Sequence, residues 1–444
     1  MAALNFPTLP EQLVNGLLLG AIYALIALGY TMVYGVLRLI NFAHGEVYML
    51  GAYIALFASY AMGYAPDSLG KGAPSPIMSA QTTTSLGVGL LVLGIILFLV
   101  SKGVPKASAV LGPLAACSAV FGLIFGLIGA VQPAALNLIV MLLASMVVCG
   151  IVGILIERFA YRPMRKTSRI ASLITAIGVS LLLQYGGQLF LPNSPPPSIS
   201  EQVNPYRDDK IRIPVVKGPA DLEQAVVALQ PEFETTKASY EDYVKRTGET
   251  RFSLKPEGKV LRDKADAAAS AYNDALRKAD SSGVSITIQV SRIIMFVMAI
   301  LLMLVLRHLV LFTPAGRAMR AVSHDFDSAS LMGINVDKII TFTFLLGSSL
   351  AGAGAMMTAT FQGTPLTTFY GLLPGVKAFV AAVLGGIGNI PGAVLGGLLM
   401  GVAETLVVWA GYSDYKDAIA FAVLIIVLLF KPAGLLGSAK VEKV

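Results

Sequence analysis

The sequence predicts an all-α polytopic membrane protein, with about nine crossing helices, a broken or re-entrant segment and a soluble helical-hairpin insertion. Three observations lead there. Of 444 residues, 55% are hydrophobic and only 13% charged, about half the ~25% charge of a soluble domain; the mean hydropathy is +0.73. Several windows exceed the roughly 18 apolar residues that mark a membrane-spanning helix. One long stretch, from Pro192 to Ile286, has an abruptly different, charge-rich composition. A β-barrel is excluded, because its strands alternate apolar and polar residues over about ten positions.

In chain order, crossing helices are expected at about 13–36, 46–64, 86–101, 108–131, 134–156, 170–191, 287–311, 340–361 and 417–436. The first apolar run, Leu13–Val36, is too long for the ~7–15-residue core of a signal peptide and lacks a cationic start, so it stays as an anchor. Lys and Arg in short loops set orientation. Arg158, Arg162, Arg165, Lys166 and Arg169 crowd one loop, and Arg317, Arg320 and Lys338 another; both are expected in the cytoplasm. Counting outward places the N-terminus outside. The C-terminal tail lies inside if 374–410 enters and leaves on the same face. Cys117 and Cys149 sit in apolar runs and read as small buried hydrophobes.

The insertion holds 14 of the 33 Lys and Arg and 15 of the 26 Asp and Glu, so the net charge of +7 belongs to the membrane part. That excess follows the positive-inside pattern and implies no nucleic-acid partner. Leu222, Val226 and Leu229 recur at helical spacing, as do Leu261, Ala265, Ala268, Ala269, Tyr272 and Leu276. Two amphipathic helices separated by Thr247–Gly258 fit. The chain therefore divides into N-terminal membrane helices (1–191), a periplasmic insertion (192–286) and C-terminal membrane helices (287–444).

Three constellations carry candidate chemistry. Residues 40–53, INFAHGEVYMLGAY, place Asn41, His44, Gly45 and Glu46 where two membrane-length segments meet. Asn41 suits an N-cap and Glu46 a helix first turn; lining a wet path is the other reading, and the two are compatible. The loop 313–338 runs far beyond the usual ~4–6 residues. It combines Gly316, Arg317 and Arg320 with His324, Asp325, Ala329 and Gly333, while Ala318, Met319, Val322, Ala329, Leu331 and Met332 give it one apolar face; docking to a partner is expected. In 374–410, Gly385, Gly386, Gly388, Asn389 and Pro391 interrupt an apolar run at its middle, as in the broken helices of transport proteins. The alternative there is a kinked but continuous helix. Gly392/Gly396 and Gly397/Gly401 suggest close helix packing, and Glu404 requires a partner or water. No phosphate-cradling G-x-x-x-x-G-K-[ST] pattern, nucleophile elbow, zinc pair or carboxylate dyad occurs. Neither a cofactor nor a metal site is expected, and enzymatic chemistry is not.

NGLLLGAIYALIALGYTMVYGVLRLINFAHGEVYMLGAY (15–53), IERFAYRPMR (156–165), GRAMRAVSHDFDSASLMGINVDKII (316–340), KAFVAAVLGGIGNIPGAVLGG (377–397) and YKDAIAFAVLIIVLLFKPAGLLG (415–437) resemble the LivH-type permease subunit of branched-chain amino-acid ABC importers. The resemblance implies a heteromeric complex in a bacterial inner membrane: a second, LivM-like permease, two ATP-binding subunits and a periplasmic substrate-binding protein. It places 316–334 against the ATPases and the Asn41–Glu46 cluster near the translocation path. Two regions, 66–133 and 206–286, depart from the compact family pattern. A permease of the same architecture for urea or short amides is one alternative. An ion-coupled secondary transporter is another, with Glu46 and Glu404 as its candidate ion sites.

Overall fold

The computed structural model describes residues 8–61, short pieces within 88–96, and 133–165, 169–191, 204, 206, 209–216, 220–247, 255–282, 284–362 and 365–437. The expected crossings at 86–101 and 108–131, and Cys117, fall outside the described residues apart from those short pieces. Among the described residues, six helices are long and apolar enough to cross a membrane.

The chain begins with α1 (Leu9–Leu37) and α2 (His44–Ala61). Helix α3 (Pro133–Ile156) runs on through a π-helical turn, Glu157–Tyr161, to Met164. The stretch expected as a loop after Ile156 is thus a helical extension. Helix α4 (Arg169–Phe190) follows. In the second half come α7 (Val290–Phe312), α8 (Pro314–His324), α9 (Phe326–Leu331), α10 (Val336–Phe361), α11 (Leu372–Gly385), α12 (Ile390–Trp409) and α13 (Ala418–Phe430). With 14 and 13 residues, α11 and α13 fall short of the ~20 residues of a full crossing, so the ninth expected span, 417–436, is only partly helical.

Small residues bring the backbones together at the centre. Gly397 and Gly401 of α12 lie on α1, where a Cβ at Gly397 would come within 2.4 Å of the Ala24 Cα. Gly392 and Gly396, on the other side of α12, meet Gly385 and Ala381 of α11. The two small-residue pairs therefore serve two different neighbours. Helix α10 packs through Gly347 on Gly29 of α1 and through Gly352 on Gly51 and Ser145. Hydroxyl and thiol donors add to this: Ser145 Oγ donates to the Gly51 carbonyl at 3.0 Å and Cys149 Sγ to that of Val47 at 3.4 Å. Helix α1 is nearly enclosed, whereas α3, α4, α7 and α13 display Val147, Ile151, Leu182, Leu189, Leu304 and Leu429 outward, as a lipid-facing surface would.

Between the halves, α5 (Ala220–Thr247) and α6 (Pro256–Ser282) pair through Leu222, Val226, Tyr272 and Leu276, and Phe233 stacks on Tyr272 at 5.1 Å. Of the residues expected on the two apolar faces, Leu222, Val226, Tyr272 and Leu276 meet here. The hairpin also stands on an unexpected antiparallel ribbon, β1 (Lys210–Val216) with β2 (Val284–Gln289), in register from Lys210↔Gln289 to Pro214↔Ser285 and, after a bulge, closing at Val216↔Val284. Residues 287–289, expected in a crossing helix, belong to this ribbon. The Val290 N–H, at the start of α7, donates to the Asp209 carbonyl at 2.9 Å, joining the ribbon to the bundle.

Candidate functional site

Helix α1 ends at Arg38, which takes a left-handed φ of 55° and donates its N–H to the Tyr34 carbonyl at 2.7 Å. The chain then turns back into the bundle, so that α2 begins beside α1 rather than beyond it. A Cβ at Gly29 would lie 2.4 Å from His44 Nε2. His44 therefore sits about 12 Å, eight residues at 1.5 Å rise, inside the end of α1. Asn41, His44 and Glu46 are 2%, 0% and 2% exposed. Gly45 is required by close approach, since a Cβ there would stand 2.8 Å from the Gly371 carbonyl oxygen, and one at Gly375 2.8 Å from the Gly45 Cα.

The partners of this cluster come from three elements. Tyr161, carried inward by the π-helical turn, donates to Asn41 Oδ1 at 3.0 Å. Ser180 Oγ of α4 donates to Glu46 Oε1 at 3.2 Å. The edge of Tyr30 meets the His44 ring, centroids 4.5 Å apart. Asn41 Nδ2 and Glu46 Oε2 make no hydrogen bond, and the His44 ring has only the Ile26 backbone within reach, outside ordinary hydrogen-bond geometry. The capping reading fails for Asn41: α2 starts at His44, three residues later, and the Asn41 amide oxygen is occupied by Tyr161. Buried polar groups are satisfied in the great majority of cases, so the unpartnered Asn41 Nδ2 and Glu46 Oε2 stand out at this helix start.

The interruption at 385–391 is a true break. Gly386 (φ 106°) and Gly388 (φ 91°) turn the chain, and Asn389 caps α12 by accepting from the Gly392 N–H at 3.1 Å. It lies toward one end of the helix bundle. A Cβ at Gly388 would lie 3.6 Å from the Gly35 Cα, so the turn sits at the Arg38 end of the bundle, with α11 and α12 antiparallel above it. The tail covers it: the Leu435 and Leu436 N–H groups donate to the carbonyls of Leu384 and Gly385 at 2.8 and 3.0 Å, and Asn389 Nδ2 to that of Leu436 at 2.7 Å.

At the same end, Thr313 caps α8 by accepting from the Gly316 N–H, and Asp325 caps α9 by accepting from that of Ser328. The Ser328 N–H holds the Asp325 carboxyl below the usual carboxylate range. Met319, Val322 and Ala329 face inward. Leu331 and Met332 do not: at 88% and 83% exposed, they form an apolar tip just before the turn at Gly333 (φ 81°). Arg320 is also not a free surface charge, because its guanidinium donates to the Val310 carbonyl at the end of α7. Arg317 and His324 are displayed. Beside this loop, Arg165 bridges buried Glu157 and Asp337, and Arg162 also pairs with Asp337.

Glu404 has its partner. Lys377 Nζ donates to Glu404 Oε1 at 2.8 Å and to Asp417 Oδ1 at 2.6 Å, and Tyr23 donates to Glu404 Oε2 at 2.7 Å. This network lines a cavity of about 630 Å³ at the end of the bundle opposite Arg38.

The family described as "Branched-chain amino acid transport system / permease component" matches residues 12–428. This chain belongs to that family. It is similar to LivH of Escherichia coli (strain K12), a high-affinity branched-chain amino acid transport system permease protein. The two are 30% identical over 434 residues, covering 98% of this chain and 97% of that relative. The corresponding permease protein BraD of Pseudomonas aeruginosa is 33% identical with the same coverage. A partial match, 30% over 122 residues and 26% of this chain, joins it to the ribose import permease protein of Haemophilus influenzae. No solved structure matches the chain. It is thus a multi-pass membrane permease component, a transport rather than an enzymatic role.

The sequence reading missed Tyr30, Tyr161 and Ser180 around the cluster, and Lys377 and Asp417 as partners of Glu404. Lys377 carried a legible signal: a lone cation in an apolar run, 27 residues from a lone intramembrane acid.

Proposed function

We propose that this chain is the permease subunit of an ATP-driven importer of branched-chain, hydrophobic amino acids in a bacterial inner membrane. It works with a second, LivM-like permease, two ATP-binding subunits and a periplasmic substrate-binding protein. The Arg38 end is cytoplasmic and the end bearing the α5–α6 insertion is periplasmic, with the N-terminus outside and the C-terminus inside. The observation that carries the reading is the return of the chain at residues 38–46, which sets Asn41, His44 and Glu46 inside the bundle with polar atoms unpartnered. These groups line the translocation path. The tip at Leu331 and Met332, with Arg317 and His324 beside it, contacts an ATPase. The inward faces of α8 and α9, clamped to α7 by Arg320, pass that movement to the bundle.

An ion-coupled carrier is disfavoured by Glu404, whose charge is already matched by Lys377. The test is uptake by the reconstituted complex. L-Leucine, L-isoleucine and L-valine should accumulate with ATP and binding protein, unaffected by collapsing ion gradients. Accumulation of urea or short amides instead would transfer the function to that solute class, and gradient-driven uptake without ATP would overturn the reading.

A further inference from the structure

The cavity opposite the Arg38 end carries a chemistry of its own. Its wall carries both cations and carboxylates. Lys377 is held between two carboxylates, Glu404 and Asp417. Glu404 has both oxygens engaged, one by Lys377 and one by Tyr23. Asp417 engages Lys377 through Oδ1 and stands at the wall only partly enclosed, with capacity for a further donor. On the α7 side, Arg292 donates through one guanidinium nitrogen to Asn15 Oδ1 at 2.8 Å, with Glu11 the nearby acid. A guanidinium has five N–H donors in a planar fork that suits a carboxylate. Lys416 lies at the rim, and Phe361, Phe369, Leu373 and Val408 supply an apolar wall. The volume is within the ~300–1,000 Å³ of small-molecule sites, which combine apolar lining with a few placed polar groups.

We propose that this cavity is a binding site for an apolar zwitterionic amino acid, in which Arg292 holds the α-carboxylate, Asp417 the ammonium, and the aromatic wall the side chain. It rests on the amino-acid reading above and adds a receiving site within the permease, separate from the Asn41–Glu46 cluster. Its position follows from the ribbon: Gln289, the last residue of β2, lines the cavity, so the insertion stands at its mouth, on the face where a binding protein delivers.

The test uses the assembled complex. Binding of radiolabelled L-leucine is measured without binding protein, in competition with L-leucinamide, which lacks the carboxylate, and 4-methylpentanoate, which lacks the ammonium. Unlabelled L-leucine should compete at least about tenfold better than either analogue. Arg292→Gln should weaken L-leucine binding about tenfold and abolish discrimination against the amide, Asp417→Asn should abolish discrimination against the acid, and Arg292→Lys should restore part of the loss. Equal competition by both analogues on the wild type, or no saturable binding, overturns the site without needing any variant to fold. Normal leucine uptake with unchanged variants overturns the site alone. Absence of leucine uptake by the wild type overturns the substrate reading and the site with it.

Discussion

An acidic side chain at the centre of a membrane helix costs about 2.5–3.5 kcal/mol, and Glu46 meets that cost with one protein donor, Ser180. His44 is wholly enclosed, against the α1 backbone at Ile26 and Gly29 and the ring of Tyr30. A structural role alone would favour replacing such groups with apolar ones of similar shape, since that exchange is often neutral or stabilising. A path for a polar solute requires them instead. Glu46→Gln keeps the shape and the bond to Ser180, while His44→Phe keeps the ring and removes both nitrogens. Each should leave assembly intact and lower uptake by about tenfold or more, equivalent to about 1.4 kcal/mol in the barrier. Near-normal uptake by both in the reconstituted complex would return the cluster to packing. The polarity of this stretch was legible in the sequence. Its depth was not, because a linear pattern does not tell that six residues after α1 fold back beside Gly29.

Among the elements, long apolar runs specified helices well, since every backbone group in a membrane must be satisfied within the segment. The short ribbon escaped because KIRIPVV and VSITIQ are too brief to distinguish from coil without their pairing partner, 68 residues apart at Val216↔Val284. The break at 386–389 was legible as a break, but its place at the Arg38 end depends on α11 and α12 being antiparallel, which only the Gly385–Gly392 contact reveals. The loop element divides in the same way: of its expected apolar face, Met319, Val322 and Ala329 are buried, while Leu331 and Met332 form an exposed tip. Charge reversal at Arg320 therefore tests the wrong thing, because it releases the end of α7 and should lower thermal stability. Leu331→Asp with Met332→Asp changes two side chains that pack on nothing in this chain. We expect unchanged expression and melting temperature, with ATPase association lost in pull-downs of the complex. Retained association and coupled ATP hydrolysis would remove the tip from the interface.

For the whole molecule, the question is what the insertion contributes to a bundle that closes without it. Helices α5 and α6 pack mainly on each other, through a small satellite core of Val226 and Leu276 with Leu222 and Tyr272 around it. The ribbon is different. It holds the start of α7 through Asp209 and Val290, and Asn204 Nδ2 donates to Ser291 Oγ at 3.0 Å nearby. Removing 207–283 entirely would take away β1 and leave β2 as an unpaired edge, an exposed template for aggregation. Because Val216 and Val284 are paired, a two-residue Asn-Gly turn can join them directly, the connection that suits the twist of an antiparallel pair. Replacing 217–283 by Asn-Gly should therefore preserve insertion and subunit assembly, with a melting temperature within a few degrees of wild type, a change of about 1 kcal/mol or less. The variant lacking β1 as well should lose substantially more. Binding-protein-stimulated ATP hydrolysis then reports on the hairpin alone: if it stays at the wild-type level in the Asn-Gly variant, α5 and α6 take no part in docking, and a fall with intact assembly assigns them to that surface. A cysteine at Ser253, labelled by an impermeant reagent only from the cytoplasmic side, would invert the orientation on which this argument stands.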